Sequence, residues 1–89
     1  MTYSVRLSAR AQSDLKHLDI AIRRRIINKL RYYADSDHPL AHAKSLSGVL
    51  HGKYRFRIGD YRAIFSVDSR GVVTILFILT IQHRREVYA

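Results

Sequence analysis

The order of apolar and polar positions changes period along the chain, and each change marks an element. Residues 3–7, Tyr-Ser-Val-Arg-Leu, alternate apolar and polar, which predicts a strand. Ser8 stands at an N-cap position, and Ala11, Leu15 and Leu18 then recur at helical spacing. Asp19 precedes a second helical stripe of Ile22, Ile26, Leu30 and Tyr33, with Ile27 and Ala34 beside it. With so few residues between them, the two helices form a hairpin. Asp35-Ser36-Asp37-His38-Pro39 ends it, because the residue before a proline avoids the helical region.

Residues 35–52 form a connection in which Ala41–Leu46 suggests a helical turn, closed by Ser47-Gly48. The period then drops to two. Lys53–Ile58 sets Tyr54, Phe56 and Ile58 on one face of a strand and Arg55 and Arg57 on the other. Gly59-Asp60 is a two-residue hairpin signal, and Tyr61–Val67 is the next strand. Asp68-Ser69-Arg70-Gly71 reads as a four-residue turn before Val72–Ile81, the most apolar segment. A strand apolar on both faces belongs inside its sheet. The expected fold is therefore α+β: an N-terminal strand, a helical hairpin, then a three-stranded antiparallel meander, all in one sheet. The hairpin covers one sheet face and leaves the other open.

Composition sharpens this outline. The 89 residues suffice for a single domain, 1–89. The absence of cysteine removes a disulfide framework, a thiolate metal site and a cysteine nucleophile together. Sixteen Lys+Arg against seven Asp+Glu leave a net charge of +9, and arginine dominates the cations. Such a surplus calls for a polyanionic or acidic partner. The apolar run Val72–Ile81 is too short to span a bilayer, and Met1–Arg6 has no signal-peptide core. A cytoplasmic protein that handles nucleic acid, with no membrane partner, is the expectation.

The turn at Gly59-Asp60 sets a register that places Ile58 opposite Tyr61 and Arg57 opposite Arg62. Arg55, Arg57 and Arg62 then share the open face. Like charges directly opposed across strands cost roughly 0.2–1 kcal/mol per pair. A phosphate would convert that repulsion into binding, because guanidinium offers paired donors. With a four-residue turn at 68–71, Val67 would face Val72 and Arg62 would face Phe77. The segment from Gln82 to Tyr88 would emerge at the hairpin end, bringing His83, Arg84, Glu86 and Tyr88 toward the arginines.

These residues carry a family likeness. Leu46-Ser47-Gly48, then Gly52-Lys53-Tyr54-Arg55-Phe56-Arg57-Ile58-Gly59-Asp60-Tyr61-Arg62, then a long apolar strand, then His83-Arg84-Arg85-Glu86-Val87-Tyr88, resemble the RelE toxins of the RelE/ParE toxin–antitoxin superfamily. The likeness extends over nearly the whole chain. It implies a ribosome-dependent mRNA endonuclease that inhibits translation, cutting mRNA in the ribosomal A site by attack of a ribose 2′-hydroxyl on the adjacent phosphate, with no metal or cofactor. By position, it implies catalytic roles for Arg57, Arg62, Arg84, His83 and Tyr88. Lys53, Arg55, Arg57 and Arg85 would bind RNA. Arginine stays protonated, so the general base is left among Tyr88, His83 and Glu86. The implied partners are mRNA, ribosomal RNA and an acidic antitoxin whose flexible part wraps the toxin.

Other features have plainer readings. His38, His42 and His51 read as surface residues, Arg23-Arg24-Arg25 as a solvated rim, and Tyr32-Tyr33 as half surface and half core. Two further functions compete with the nuclease: a ParE-like toxin that inhibits DNA gyrase without a nuclease site, and a basic domain that binds RNA without cutting it.

Overall fold

The computed structural model describes residues 2–85. Its elements are β1 (Thr2–Leu7), α1 (Ala9–Lys16), α2 (Ile20–Asp35), β2 (Ala43–Ser45), β3 (Tyr54–Ile58), β4 (Tyr61–Arg70) and β5 (Val73–His83). Short 3₁₀ turns at Pro39–His42 and Gly48–Leu50 flank β2. The strands form one sheet in the order β1-β5-β4-β3-β2. β1 runs parallel to β5, and every other pairing is antiparallel. The α+β expectation holds, with one addition. β2 is a three-residue edge strand where the sequence suggested a helical turn. Three residues are too few to show a period, so pairing with β3 decides their state.

The helices start as their sequences dictate. Ser8 caps α1, its hydroxyl oxygen accepting from the Ala11 amide at 3.0 Å. Asp19 occupies the N-cap position of α2 but makes no side-chain capping bond. Arg23 is half-buried rather than part of a solvated rim. Its guanidinium donates to the carbonyls of Leu15, Lys16 and Leu18 at 3.1–3.4 Å, satisfying the orphan acceptors at the end of α1.

The helical hairpin covers one sheet face. Ala11 and Leu15 of α1, and Ile26, Leu30, Tyr33 and Ala34 of α2, meet Phe56, Ile58, Ala63, Phe65, Leu76, Ile78 and Ile81. Stacked rings tie helix to sheet: Tyr33 on Phe56 at 4.7 Å and Phe56 on Phe65 at 4.3 Å. Offset aromatic pairs of this kind add about 0.5–1.5 kcal/mol beyond burial. Tyr32 remains largely exposed while Tyr33 is buried, as the sequence suggested.

The β4–β5 connection is tighter than expected. Arg70 pairs with Val73, so the turn is Gly71-Val72, two residues rather than four. Gly71 has φ +64°, the positive value a first turn residue of the II′ kind requires. Val67 consequently faces Leu76, not Val72, and Phe77 faces Ser66. The register then shifts between Ile64 and Phe65, and Leu79 is the extra residue on β5. Beyond this bulge Arg62 faces Gln82, which replaces the expected Phe77.

β1 pairs with β5 only as far as Ile78, and α1 serves the strand's edge beyond that point. Ser8 donates its amide to the Ile78 carbonyl at 2.9 Å and its hydroxyl to the Leu79 carbonyl at 2.7 Å. Asp14 Oδ2 accepts from the Ile81 amide at 2.9 Å and from the Thr80 hydroxyl at 2.8 Å. One carboxylate thus satisfies the strand just after its bulge. Asp14→Ala should destabilise the fold by about 1–3 kcal/mol, the cost of leaving a buried donor unmade. Asp14→Asn, which keeps an acceptor, should lose less. Urea unfolding of the three proteins checks this, and an alanine variant within 0.5 kcal/mol of wild type, roughly the surface-substitution range, would contradict it.

Candidate functional site

Alternation from the core residues fixes what the other face carries. Phe56, Ile58, Ala63 and Phe65 point to the helices, so Arg55, Arg57 and Arg62 point away from them. Arg57 stands opposite Arg62, and Ile58 opposite Tyr61, as the turn predicted. Lys44 on β2 stands opposite Arg55, extending the cations to the sheet edge. Arg6 on β1 occupies the same face beside Phe77. Two rows result: Lys44, Arg55, Ile64 and Thr80, then Arg57, Arg62 and Gln82. Among the described residues the one acid on this face is Asp68, at the far end of β4, where it pairs with Arg70 at 2.8 Å.

Gly59 has φ +59° at the head of the Gly59-Asp60 turn, the position where glycine carries no steric cost. A methyl group built there would lie 3.7 Å from Arg25 Nη1, so α2 brings a further guanidinium to the hairpin. Of the Arg23–Arg25 run, Arg24 alone fits the solvated-rim reading without qualification: it is exposed, while its neighbours meet Leu15 and Gly59.

The C-terminal segment arrives at this same end. The Arg84 amide donates to the Asp60 carbonyl at 2.7 Å, and its guanidinium lies 3.7 Å from the Asp60 carboxylate. The expected approach of Arg84 to the hairpin is therefore met. His83 is placed differently from the expectation. It stands opposite Tyr61 and meets that ring edge-on at 5.1 Å, on the helix side of the sheet. Its Nδ1 accepts from the Arg85 amide at 3.2 Å. Gln82, not His83, lies beside Arg62. The bulge at Leu79 inverts the alternation, and no residue pattern in an apolar run announces such an insertion. Arg85 is exposed, and Lys53 sits half-buried at the start of β3, away from the hairpin. Glu86 and Tyr88 lie outside the described residues.

Thus Arg55, Arg57 and Arg62 come together on the sheet face opposite the helices, Arg57 exposed and Arg55 and Arg62 half-buried around the buried Ile64, with Arg84 at the rim. Opposed side chains on such strands have Cβ atoms about 4.5–5.5 Å apart. Two arginine side chains rooted at that spacing can reach one tetrahedral anion between them. Sequence reading missed Lys44 and Arg6 because their faces depend on partners, β3 and β5, that local pattern does not identify. Of the three histidines in the connection, His42 stacks on Tyr33 at 4.8 Å.

The fold is that of a toxin of the RelE/ParE superfamily. A family model described as the ParE toxin of type II toxin–antitoxin systems, parDE, matches residues 5–88, and the chain belongs to that family. It is 31% identical over 88 residues to Toxin RelG of Mycobacterium tuberculosis, covering 99% of this chain and 98% of RelG. Among solved structures, the RelBE2 toxin–antitoxin complex of M. tuberculosis matches with TM-score 0.73 and 28% identity, over 94% of this chain and 100% of that chain. The archaeal RelE–RelB complex of Pyrococcus horikoshii matches with TM-score 0.68 and 27% identity, over 94% and 97%.

Like charges directly opposed across strands repel, so the Arg57–Arg62 pair should cost stability. Arg57→Thr should raise stability by about 0.2–1 kcal/mol at low ionic strength, and the gain should fade in high salt. Unfolding curves at two salt concentrations test it. A loss of stability at low salt would show that Arg57 is held by a favourable contact instead.

Proposed function

We propose that this toxin is a ribosome-dependent endonuclease that cuts mRNA in the A site. The observation carrying this reading is the opposition of Arg57 and Arg62 on a sheet face without a helical cover, with Arg55 alongside. Directly opposed like charges repel each other, and a phosphodiester seated between them would turn that repulsion into attraction. In the proposed reaction the 2′-hydroxyl oxygen attacks the neighbouring phosphorus and the bond to the 5′ oxygen breaks. The products are a 2′,3′-cyclic phosphate and a 5′-hydroxyl. The nucleophile's proton goes to a base, and the leaving oxygen receives one. Arg57 and Arg62 stabilise the charge that builds on the phosphorane, while Arg55, Lys53 and Arg85 hold the flanking strand. We assign proton transfer to Tyr88 ahead of His83, whose ring is engaged with Tyr61 on the opposite side. Arg84, tied to Asp60, supports the rim of the site.

The partner proposed for the resting state is an acidic antitoxin. The RelBE2 and RelE–RelB structures are toxin–antitoxin complexes of similar proteins, and a net charge of +9 suits an acidic chain. Charge steering would speed the encounter, and apolar contacts would slow dissociation.

A second reading is gyrase inhibition, favoured by the ParE model that spans residues 5–88. The two separate cleanly. Arg62→Ala should stay folded and lose mRNA cleavage by roughly 10²–10³, the scale for one transition-state donor. Toeprinting in a reconstituted translation reaction reads the cut directly. Intact message at the toeprint, together with inhibited supercoiling by gyrase, would replace the nuclease reading with the gyrase one.

A further inference from the structure

Phe77 sits in the middle of β5 and is 40% exposed, on the face opposite the core. Its strand neighbours Leu76 and Ile78 are fully buried, so its exposure follows from the alternation and not from a frayed end. Across the sheet it meets Arg6 on β1 and Ser66 on β4, both polar. Ile75, two residues earlier on β5, and Ile64 on β4 share this face, but neither is paired with Phe77. It shares the face with Lys44, Arg55, Arg57 and Arg62, and the one acid on that face among the described residues, Asp68, is engaged by Arg70. An aromatic ring on a cationic sheet face is the arrangement on which unstacked nucleotide bases settle, because every base has a π-face.

We propose that Phe77, flanked by Arg6, is a base-stacking subsite for single-stranded RNA. Four residues of β4 separate the level of Arg62 from that of Ser66 and Phe77, about 13 Å along the strand. A strand whose phosphate lies at Arg57 and Arg62 would therefore run along the sheet and set a base, not the scissile phosphate, on the ring. Arg6 would meet a phosphate beside that base. The charge of the face favours RNA over an acidic peptide here, since the subsite sets an aromatic ring directly beside Arg6 on a face whose one acid among the described residues is paired with Arg70. The proposal rests on the nuclease reading above and adds a base contact remote from the reacting phosphate.

The test uses a short RNA carrying 2-aminopurine, whose fluorescence falls on stacking, with anisotropy to read affinity. Phe77→Ala and Phe77→Leu should each weaken binding roughly 5- to 150-fold and abolish the quench, while Phe77→Tyr retains both. An RNA abasic at that nucleotide should bind wild type and Phe77→Ala equally. Leucine keeps an apolar side chain at the site, so a folded leucine variant guards against loss through misfolding. Unchanged RNA affinity in folded Phe77→Ala and Phe77→Leu, with Arg62→Ala still weakened, would overturn the subsite and leave the phosphate reading standing. Unchanged affinity in all three variants would overturn both. Phe77→Ala that binds RNA normally but weakens assembly with antitoxin would overturn the proposal in favour of a protein contact.

Discussion

The two-residue turn at Gly59-Asp60 governs the side-chain faces of β3 and β4. Gly59 takes a positive φ, and the turn locks Ile58 opposite Tyr61. A slip of one residue would exchange the faces, driving arginines against the helices and exposing Phe56 and Phe65. The stacked rings of Tyr33, Phe56 and Phe65 therefore enforce the register as strongly as the turn does. β5 needs a separate device, because its apolar residues occupy both faces. Asp14 supplies it by holding Thr80 and the Ile81 amide just past the bulge at Leu79.

Coverage by helices on one side has a direct electrostatic consequence. The face that α1 and α2 cover takes the aromatic and aliphatic core, and the cations of β2, β3 and β4 gather on the other, beside Ile64 and Phe77. There Arg57 and Arg62 oppose each other, next to Arg55 and Lys44. The resulting repulsion is modest, and the buried aromatic and aliphatic core outweighs it. What the fold gains is a set of guanidinium donors held on a hydrogen-bonded sheet, as the proposed transition-state site requires. The C-terminal segment then closes on the turn through Arg84 and Asp60, and Arg25 approaches from α2. Cations from three separate parts of the chain meet at one hairpin.

Much of this was legible where a local rule determines the outcome. Ser8 as a cap, the stripe Ile26-Leu30-Tyr33, the end of α2 at Asp35 and the Arg57–Arg62 opposition each follow from spacing or turn chemistry. Features that depend on distant partners were not legible. β2 exists because β3 offers it an edge, and β1 joins β5 in parallel, which no local signal encodes. The Gly71-Val72 turn was obscured because Asp68, Ser69 and Arg70 resemble loop residues while serving as strand. The error propagated to Arg62, whose partner is Gln82, and the unforeseen bulge turned His83 to the helix side. Arg23 shows the same limit: three adjacent arginines look alike in sequence, yet one of them caps α1.

The central claim is that the arginine face receives RNA phosphate. The most direct measurement is an NMR titration of arginine Nε–Hε signals with a short RNA whose 2′-hydroxyls are methylated, so that it binds but cannot be cut. The account predicts early, saturable shifts at Arg55, Arg57 and Arg62, with Arg24 and Arg70 moving little. Shifts confined to Arg24 and Arg70, with the sheet arginines unmoved, would contradict it.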